Sequence, residues 1–284
     1  MVWQTQPTPL FLIFFLACAV MEWMLRRRSH RSYSGRAAAA SLGVGVGRGL
    51  AKAATAGFVA AVLMACYQAS PTPWPMDDWR SWAAGFLLTD FTYYWQHRWS
   101  HTIRWFWANH ATHHSSNELN LPAAFRLSWT ADLTGVWLFF LPAIYLGLHP
   151  AAMWLMLIIN LRYQLLLHTE AVGKLGPLEW VLNTPSHHRV HHASNPAYLD
   201  KNFGGMLIVF DRLFGTFAEE RIDQPPRYGL TDPLASHNPF VIVFHEWGRL
   251  FRDMWAERRR PWASLCVLAA RPGRRPRDPD AAIG

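Results

Sequence analysis

Five apolar blocks, each near the length of a membrane crossing, alternate with stretches rich in arginine and histidine, and this alternation limits the fold more than any other feature. They run from about Pro9 to Leu25, Leu50 to Ala69, Trp79 to Trp95, Thr130 to Leu148 and Ala151 to Leu167. Each is close to the ~20 residues that a helical span requires. The first block is followed by Arg26-Arg27-Arg28. A secretory signal carries its positive charge before the apolar stretch, so this block is expected to be retained, with its C-terminal end in the cytoplasm. The second block then leads outward to Ser70–Asp78, whose three prolines and two aspartates suit an outer loop. The third brings the chain back, and the last two form a hairpin about Gly147-Leu148-His149-Pro150.

That topology places His97 to Asn120, His168 and His187 to His192 on the cytoplasmic side, although the blocks are drawn without reference to histidine. Ten of the fourteen histidines thus meet one membrane face. The expected fold class is an all-α integral membrane protein of about four or five transmembrane helices with a cytosolic, histidine-rich dimetal cap. Residues 1–78 would form an N-terminal hairpin and outer loop, and 79–220 a metal-bearing domain that includes the membrane hairpin 130–168. Residues 221–284 would supply an interfacial amphipathic helix (Pro239 to about Arg259) and a polar, proline-rich tail from Pro272 to Gly284 expected to be disordered. Ala171 to Glu220, mixed in character and rich in Gly and Pro, reads as a cytoplasmic cap.

Composition narrows the function classes. Three widely separated cysteines (Cys18, Cys66, Cys266) offer no disulfide framework, zinc motif or iron–sulfur pattern. The net charge of +8 could suit nucleic acid, but the arginines cluster beside apolar blocks, where anionic lipid headgroups are the simpler partner. Sixteen tryptophans fit membrane–water interfaces; Tyr93 and Tyr94 are read in the same way, as interface anchors.

Three histidine clusters carry the chemistry. His97 and His101 are four residues apart, so on a helix they share a face. His110 has His113 and His114 at three and four residues, and His188 has His191 and His192 at the same spacing. His168 stands alone at the end of the fifth block. Neutral imidazole suits zinc, copper, iron and nickel. Nine or ten are too many for one metal, since a tetrahedral zinc site is full at four, whereas two metals taking four or five each would use them all. A lone histidine is commonly a surface or packing residue, and His30, His149, His237 and His245 are read so; three clusters at helical spacing are not explained that way. A zinc-stabilised, non-catalytic scaffold or a metal transporter is the competing reading. A transporter would place ionisable residues inside its spans, where Asp90 is the clearest example and Arg162 lies near an end.

The order H-x-x-x-H, H-x-x-H-H, a later single histidine and H-x-x-H-H resembles the fatty acid hydroxylase/sterol desaturase superfamily. The stretches Asn183-Thr184-Pro185-Ser186-His187-His188-Arg189-Val190-His191-His192 and Leu199–Gly205, running on to Asp211–Phe217, carry the likeness most strongly. Within it, His113-His114-Ser115-Ser116, Asn120-Leu121, Arg126, Gln164 and His168-Thr169-Glu170 look closest to the alkylglycerol monooxygenase branch. The resemblance covers about Asp90 to Phe217. It implies a membrane-bound non-haem di-iron centre that uses molecular oxygen to hydroxylate or desaturate a lipid. Its implied metal ligands are His97, His101, His110, His113, His114, His168, His188, His191 and His192. No haem-binding or ferredoxin-like segment is visible, so the two electrons are expected from a separate reductase or, by analogy with the ether-lipid branch, a reduced pterin; no nucleic-acid partner is implied. Two positions depart from the fuller pattern. Gln164 stands where some relatives have histidine, leaving His187 or water to complete the second metal, and Thr102 stands where the branch has an acidic residue. Ligating imidazoles usually pass their other N–H to a carboxylate, carbonyl or water, which makes Asp90, Asp200 and Asn202 candidate orienting groups.

Overall fold

The computed structural model of the chain describes residues 9–29 and 33–273, and the described residues are helical without a β-strand. His30 and the tail from residue 274 onward, the latter expected to be disordered, lie outside them. The helices are α1 (Pro9–Arg28), α2 (Gly35–Gln68), α3 (Trp79–Thr102), α4 (Arg104–His114), α5 (Leu141–Tyr145), α6 (Pro150–Leu167), α7 (Pro185–His191), α8 (Val209–Leu213), α9 (Pro239–Ala256) and α10 (Pro261–Ala269). Their starts are written locally. Ser34 and Asp78 accept a backbone N–H in the first turns of α2 and α3, and proline opens α6, α7, α9 and α10, where its missing N–H is harmless.

Two helices, α2 and α6, are long and apolar enough to cross a membrane by length and composition. Large apolar side chains point outward from both, among them Leu50, Phe58, Leu155 and Ile159, a pattern that water does not reward and lipid does. α3 runs parallel to α6 in a fixed register. Asn160 Nδ2 donates to Asp90 Oδ1 at 2.5 Å, and one turn later the Tyr93 hydroxyl donates to Gln164 Oε1 at 3.0 Å.

The fourth apolar block, Thr130 to Leu148, is not the continuous helical span expected from its length. Turns lead to a tight 3-10 stretch (Val136–Phe140) and then the five-residue α5. Gly135 takes φ +82°, a conformation that breaks the ladder at the block's start, and Pro142 lacks an N–H at the head of α5. The segment still travels from one end of the bundle to the other. At its start the Thr134 carbonyl accepts from Trp105 of α4; at its finish the Gly147 carbonyl accepts from the Trp74 N–H at 2.9 Å, inside the expected outer loop. Phe140, Ala143, Ile144 and Leu148 are buried against Val59 and Leu63 of α2 and Met153 and Met156 of α6. The other side of the segment is exposed, with Leu138, Tyr145 and Leu146 at the surface.

α9 occupies the region expected for an amphipathic helix, but its aromatic side chains divide. Val243, Trp247 and Leu250 face α2 and α4, while Phe240, Phe251 and Trp255 stay exposed. α10, which the sequence reading does not anticipate, packs beside it through Val267.

The close approach of the two loops at the far end is testable. Gly147 has φ +112°, and a β-carbon there would lie 2.0 Å from the Thr72 carbonyl oxygen. Gly147→Ala is expected to destabilise the bundle by about 1–3 kcal/mol, read as a lowered thermal midpoint in detergent.

Candidate metal centre

α3 presents His97 and His101 on one face, and Ile103 then adopts an extended backbone that turns the chain. α4 doubles back with His110, His113 and His114. The His97 and His110 Nε2 atoms lie 3.0 Å apart, and those of His110 and His114 lie 3.1 Å apart. From the other side α7 brings His191, whose ring centroid is 4.4 Å from His97 and 4.8 Å from His114. These five form one group: His97, His101, His110, His114 and His191, with donor nitrogens all within 4.8 Å of one another. His113, His168, His188 and His192 form a second group within the same limit. There the His168 Nε2 lies 3.2 Å from that of His113 and 3.1 Å from that of His188. The groups adjoin, since the rings of His114 and His192 stack at 4.5 Å.

All nine histidines singled out from the sequence are therefore brought together, and no other histidine among the described residues joins them. His187 turns the opposite way, with its ring 5.3 Å from Phe217. Gln164 is occupied by Tyr93 and Asn160. His149 sits at the far end against Tyr67, and His237 is exposed. His245 Nδ1 donates to the Ile242 carbonyl within α9 and takes no part.

The donor set fits metal. Two imidazole nitrogens each about 2.1 Å from one ion and at right angles to each other would stand about 3.0 Å apart, close to the spacing found. The buried Nε2 atoms of His101, His191 and His192 have no hydrogen-bond partner among the described residues, although buried polar nitrogens normally find one. A cation in each group would satisfy them.

Backbone carbonyls orient the rings. His97 Nδ1 meets the Phe203 oxygen at 2.8 Å, His191 Nδ1 the Lys201 oxygen at 3.0 Å and His168 Nδ1 the Gln164 oxygen at 2.8 Å. A carbonyl can only accept, so each Nδ1 carries the proton and each Nε2 offers its lone pair inward. Two of the three carbonyls come from one loop, residues 200–207, and two buried carboxylates hold it. Asp90 accepts from the N–H groups of Met206 and Leu207; Asp211 accepts from those of Phe203 and Gly204 and from the Thr216 hydroxyl. Asn202, at φ +56°, is fixed by exchanging hydrogen bonds with the Ala218 backbone and donating to the His187 carbonyl.

Of the proposed orienting groups, Asp90 and Asn202 thus act on the loop and not on a ring. Asp200 lies 3.6 Å from His101 Nδ1, beyond a normal hydrogen bond, and is half exposed. Tyr94 is fully buried and bonds Thr216, and Tyr93 bonds Gln164, so neither is the interface anchor expected. The role of Asp211 and of Asn160 escaped the sequence reading because neither stands at a diagnostic spacing from a histidine.

The centre is uncharged. Burial pushes His110, His113, His114, His188 and His192 well below the ordinary imidazole range, and neighbouring imidazoles push in the same direction. Burial likewise takes His191 to about 4. A metal needs that neutral form.

These features define an all-helical chain built around two adjoining groups of buried imidazoles able to hold metal. Residues 82–216 match the fatty acid hydroxylase family model. Alkylglycerol monooxygenase of Xenopus tropicalis is 42% identical over 190 residues, 67% of this chain and 41% of the relative. Alkylglycerol monooxygenase of Homo sapiens is 43% identical over 182 residues, 64% and 40% of the two chains. Ornithine lipid hydroxylase OlsE of Rhizobium tropici is 31% identical over 163 residues, 57% and 47%. The chain spans about two fifths of the length of the alkylglycerol monooxygenases it matches. No solved structure matches it significantly.

The electrostatics carry a pH dependence. An imidazole whose folded pKa lies below its unfolded value of about 6.5 stabilises the fold above that value and ceases to do so as pH falls through it. The metal-free chain is therefore expected to lose thermal stability progressively from about pH 6.5 toward about 4, the value to which His191 is held. Thermal midpoints of chelator-treated protein across that range check the sign.

Proposed function

We propose that this chain is a multi-pass membrane oxygenase that holds two irons in its nine-histidine centre and hydroxylates a lipid. The carrying observation is the division of the imidazoles into adjoining groups of five and four. One ion in each group would use every histidine, and the unequal counts leave more of the coordination sphere free in the second. His97, His101, His110, His114 and His191 would hold one iron, and His113, His168, His188 and His192 the other. The names of the relatives, a lipid hydroxylase and monooxygenases acting on alkylglycerols, support a lipid substrate.

The net reaction takes one C–H bond, molecular oxygen, two electrons and two protons to an alcohol and water; removal of a second hydrogen in place of oxygen insertion would give desaturation at the same centre. Two irons, when bound, would supply the redox capacity that no side chain here possesses. The protein's own part is to present nine neutral nitrogens at fixed positions. The Lys201, Phe203 and Gln164 carbonyls keep three rings in the ligating tautomer. The electrons would come from a separate reductase or a reduced pterin. A polar cavity of about 1370 Å³, edged by His101, His114 and His191 and by Arg252, Arg259 and Arg260, supports delivery of electrons to the five-histidine group from outside.

α1, α2, α3 and α6 would cross the bilayer as helices, with residues 135–147 as an irregular fifth passage. The Arg26–Arg28 run, whose Arg26 pairs with Glu170 next to His168 and Thr169, supports a cytoplasmic site. Residues 79–220 would then be the metal-bearing unit, framed by the N-terminal hairpin and the α9–α10 pair. Reporter fusions after Arg36 and after Ala197 should both register cytoplasm, and an outer-face signal at either would refute this arrangement.

Iron analysis and oxygen uptake test the chemistry. The purified chain should bind close to two irons and consume oxygen with a lipid substrate; a structural scaffold would retain zinc and consume none. His188→Ala should lower metal content and abolish turnover, since even changes in groups behind the ligands cost ~10–100-fold. His187→Ala should keep both metals and much of the activity, because its ring faces Phe217.

A further inference from the structure

The α3–α6 register gives a depth scale along the bundle. Asn160 lies seven residues before Leu167, the last residue of α6, so its level is about 10 Å below that helix end at 1.5 Å per residue. Part of the segment read from sequence as a cytoplasmic cap reaches this level. Asp90, paired with Asn160, accepts from the backbone of Met206 and Leu207. Gly205 is pressed so closely on Asn160 that a β-carbon would lie 2.3 Å from its amide nitrogen. Leu207 forms a bridge with Leu182, and the Asn183 carbonyl accepts from the Tyr163 hydroxyl, one turn inside α6. Phe210 packs on Phe91 of α3 with ring centroids 5.5 Å apart.

Two strips, about 175–183 and 204–214, therefore lie alongside the spans and not above them. Their outer sides are apolar: Leu178 is 55% exposed, Trp180 69%, Val181 51% and Leu213 72%. The polar groups between them are turned away from that side. Glu179 accepts from the Leu175 N–H and the Thr184 hydroxyl; Arg212 donates to the Glu179 carbonyl and lies over the Trp180 ring at 4.9 Å. The pairing of Lys174 with Glu219 marks the wet edge, with both side chains substantially exposed. A tryptophan beside an arginine under a charged rim is the arrangement expected at headgroup level.

We propose that Leu178, Trp180, Val181 and Leu213 form a lip that sits in the membrane leaflet beside α3 and α6. Its occupant is the bilayer itself, because the patch is continuous with the surface of helices that already meet lipid. The inference rests on the membrane reading of α6 and deepens it. The lip would place Thr184 and the start of α7, which carries His188 of the four-histidine group, at the lipid boundary. A lipid substrate could then approach that group from the bilayer without entering water.

Nitroxide accessibility tests this without reference to activity. Cys18, Cys66 and Cys266 are first replaced by serine, and single cysteines are placed at Leu178, at Val181, at Ile159 on the outer face of α6 and at Ile222, which is 99% exposed. Each spin-labelled chain is reconstituted in phosphatidylcholine vesicles, and relaxation by oxygen is compared with relaxation by a water-soluble nickel chelate. Labels at Leu178 and Val181 should be oxygen-dominated like Ile159, whereas Ile222 should be nickel-dominated. If Leu178 and Val181 behave like Ile222 while Ile159 behaves as lipid-exposed, the lip is refuted and the spans stand. If Ile159 is itself nickel-accessible, the membrane reading of α6 falls and takes the lip with it. Protection from both agents together with spin–spin broadening at Val181 would place a second copy on the patch and also overturn the proposal.

Discussion

The Asp90 carboxylate accepts three hydrogen bonds, from Asn160 and from the backbone of Met206 and Leu207, and through them α3, α6 and the loop 200–207 are joined at one point. A carboxylate buried this deeply is tolerable only with its acceptor sites filled. Filling them fixes the depth of the loop against both helices. The same loop then hands the Phe203 and Lys201 carbonyls to His97 and His191. The orientation of rings on two different helices thus depends on a carboxylate that touches neither ring. Asp211 secures the loop from its other side, so the support is doubled where the five-histidine group requires it.

Neutrality is the second constraint. Nine imidazoles packed at centroid separations of about 4–6 Å cannot carry charge together, and burial removes the water that would help any one of them do so. Two arginines near the rings pair with carboxylates, while Asp200 stands 3.6 Å from His101 Nδ1. Arg189 meets Glu220, and Arg104 meets Asp253. Inward-facing lone pairs give a centre suited to cations, open on one side to the polar cavity through His101, His114 and His191.

The exterior shows the complementary logic. Apolar side chains cover the outside of α1, α2 and α6, and Phe140, Ala143 and Ile144 of the irregular segment 135–147 are buried against α2 and α6. The divided aromatic face of α9 shows how an amphipathic pattern can serve two sides. Val243 and Trp247 pack inward while Phe240 and Trp255 remain at the surface.

The ligand candidates were legible in the sequence because α-helical periodicity sets which histidines share a face: His97 with His101, His110 with His114, His188 with His192. The starts of α1, α3, α6 and α9 fall within one residue of the segments read from the sequence, whereas α2 begins at Gly35, well before the block expected from about Leu50. Spacing along one chain carries no information on which helices meet, and here the tertiary structure decided. It divided the nine rings so that His113 and His114, adjacent in sequence, serve different groups, because neighbouring side chains on a helix diverge by about 100°. It also turned His187 away toward Phe217 and made Tyr94 a buried anchor for Thr216. Hydropathy found the block 130–148 but could not see that Gly135 and Pro142 would break it, or that one side of it would pack against α2 and α6. The orienting carbonyls were beyond any sequence reading, because every residue has one. Only the fold of the loop, pinned by Asp90 and Asp211, decides which of them faces an imidazole.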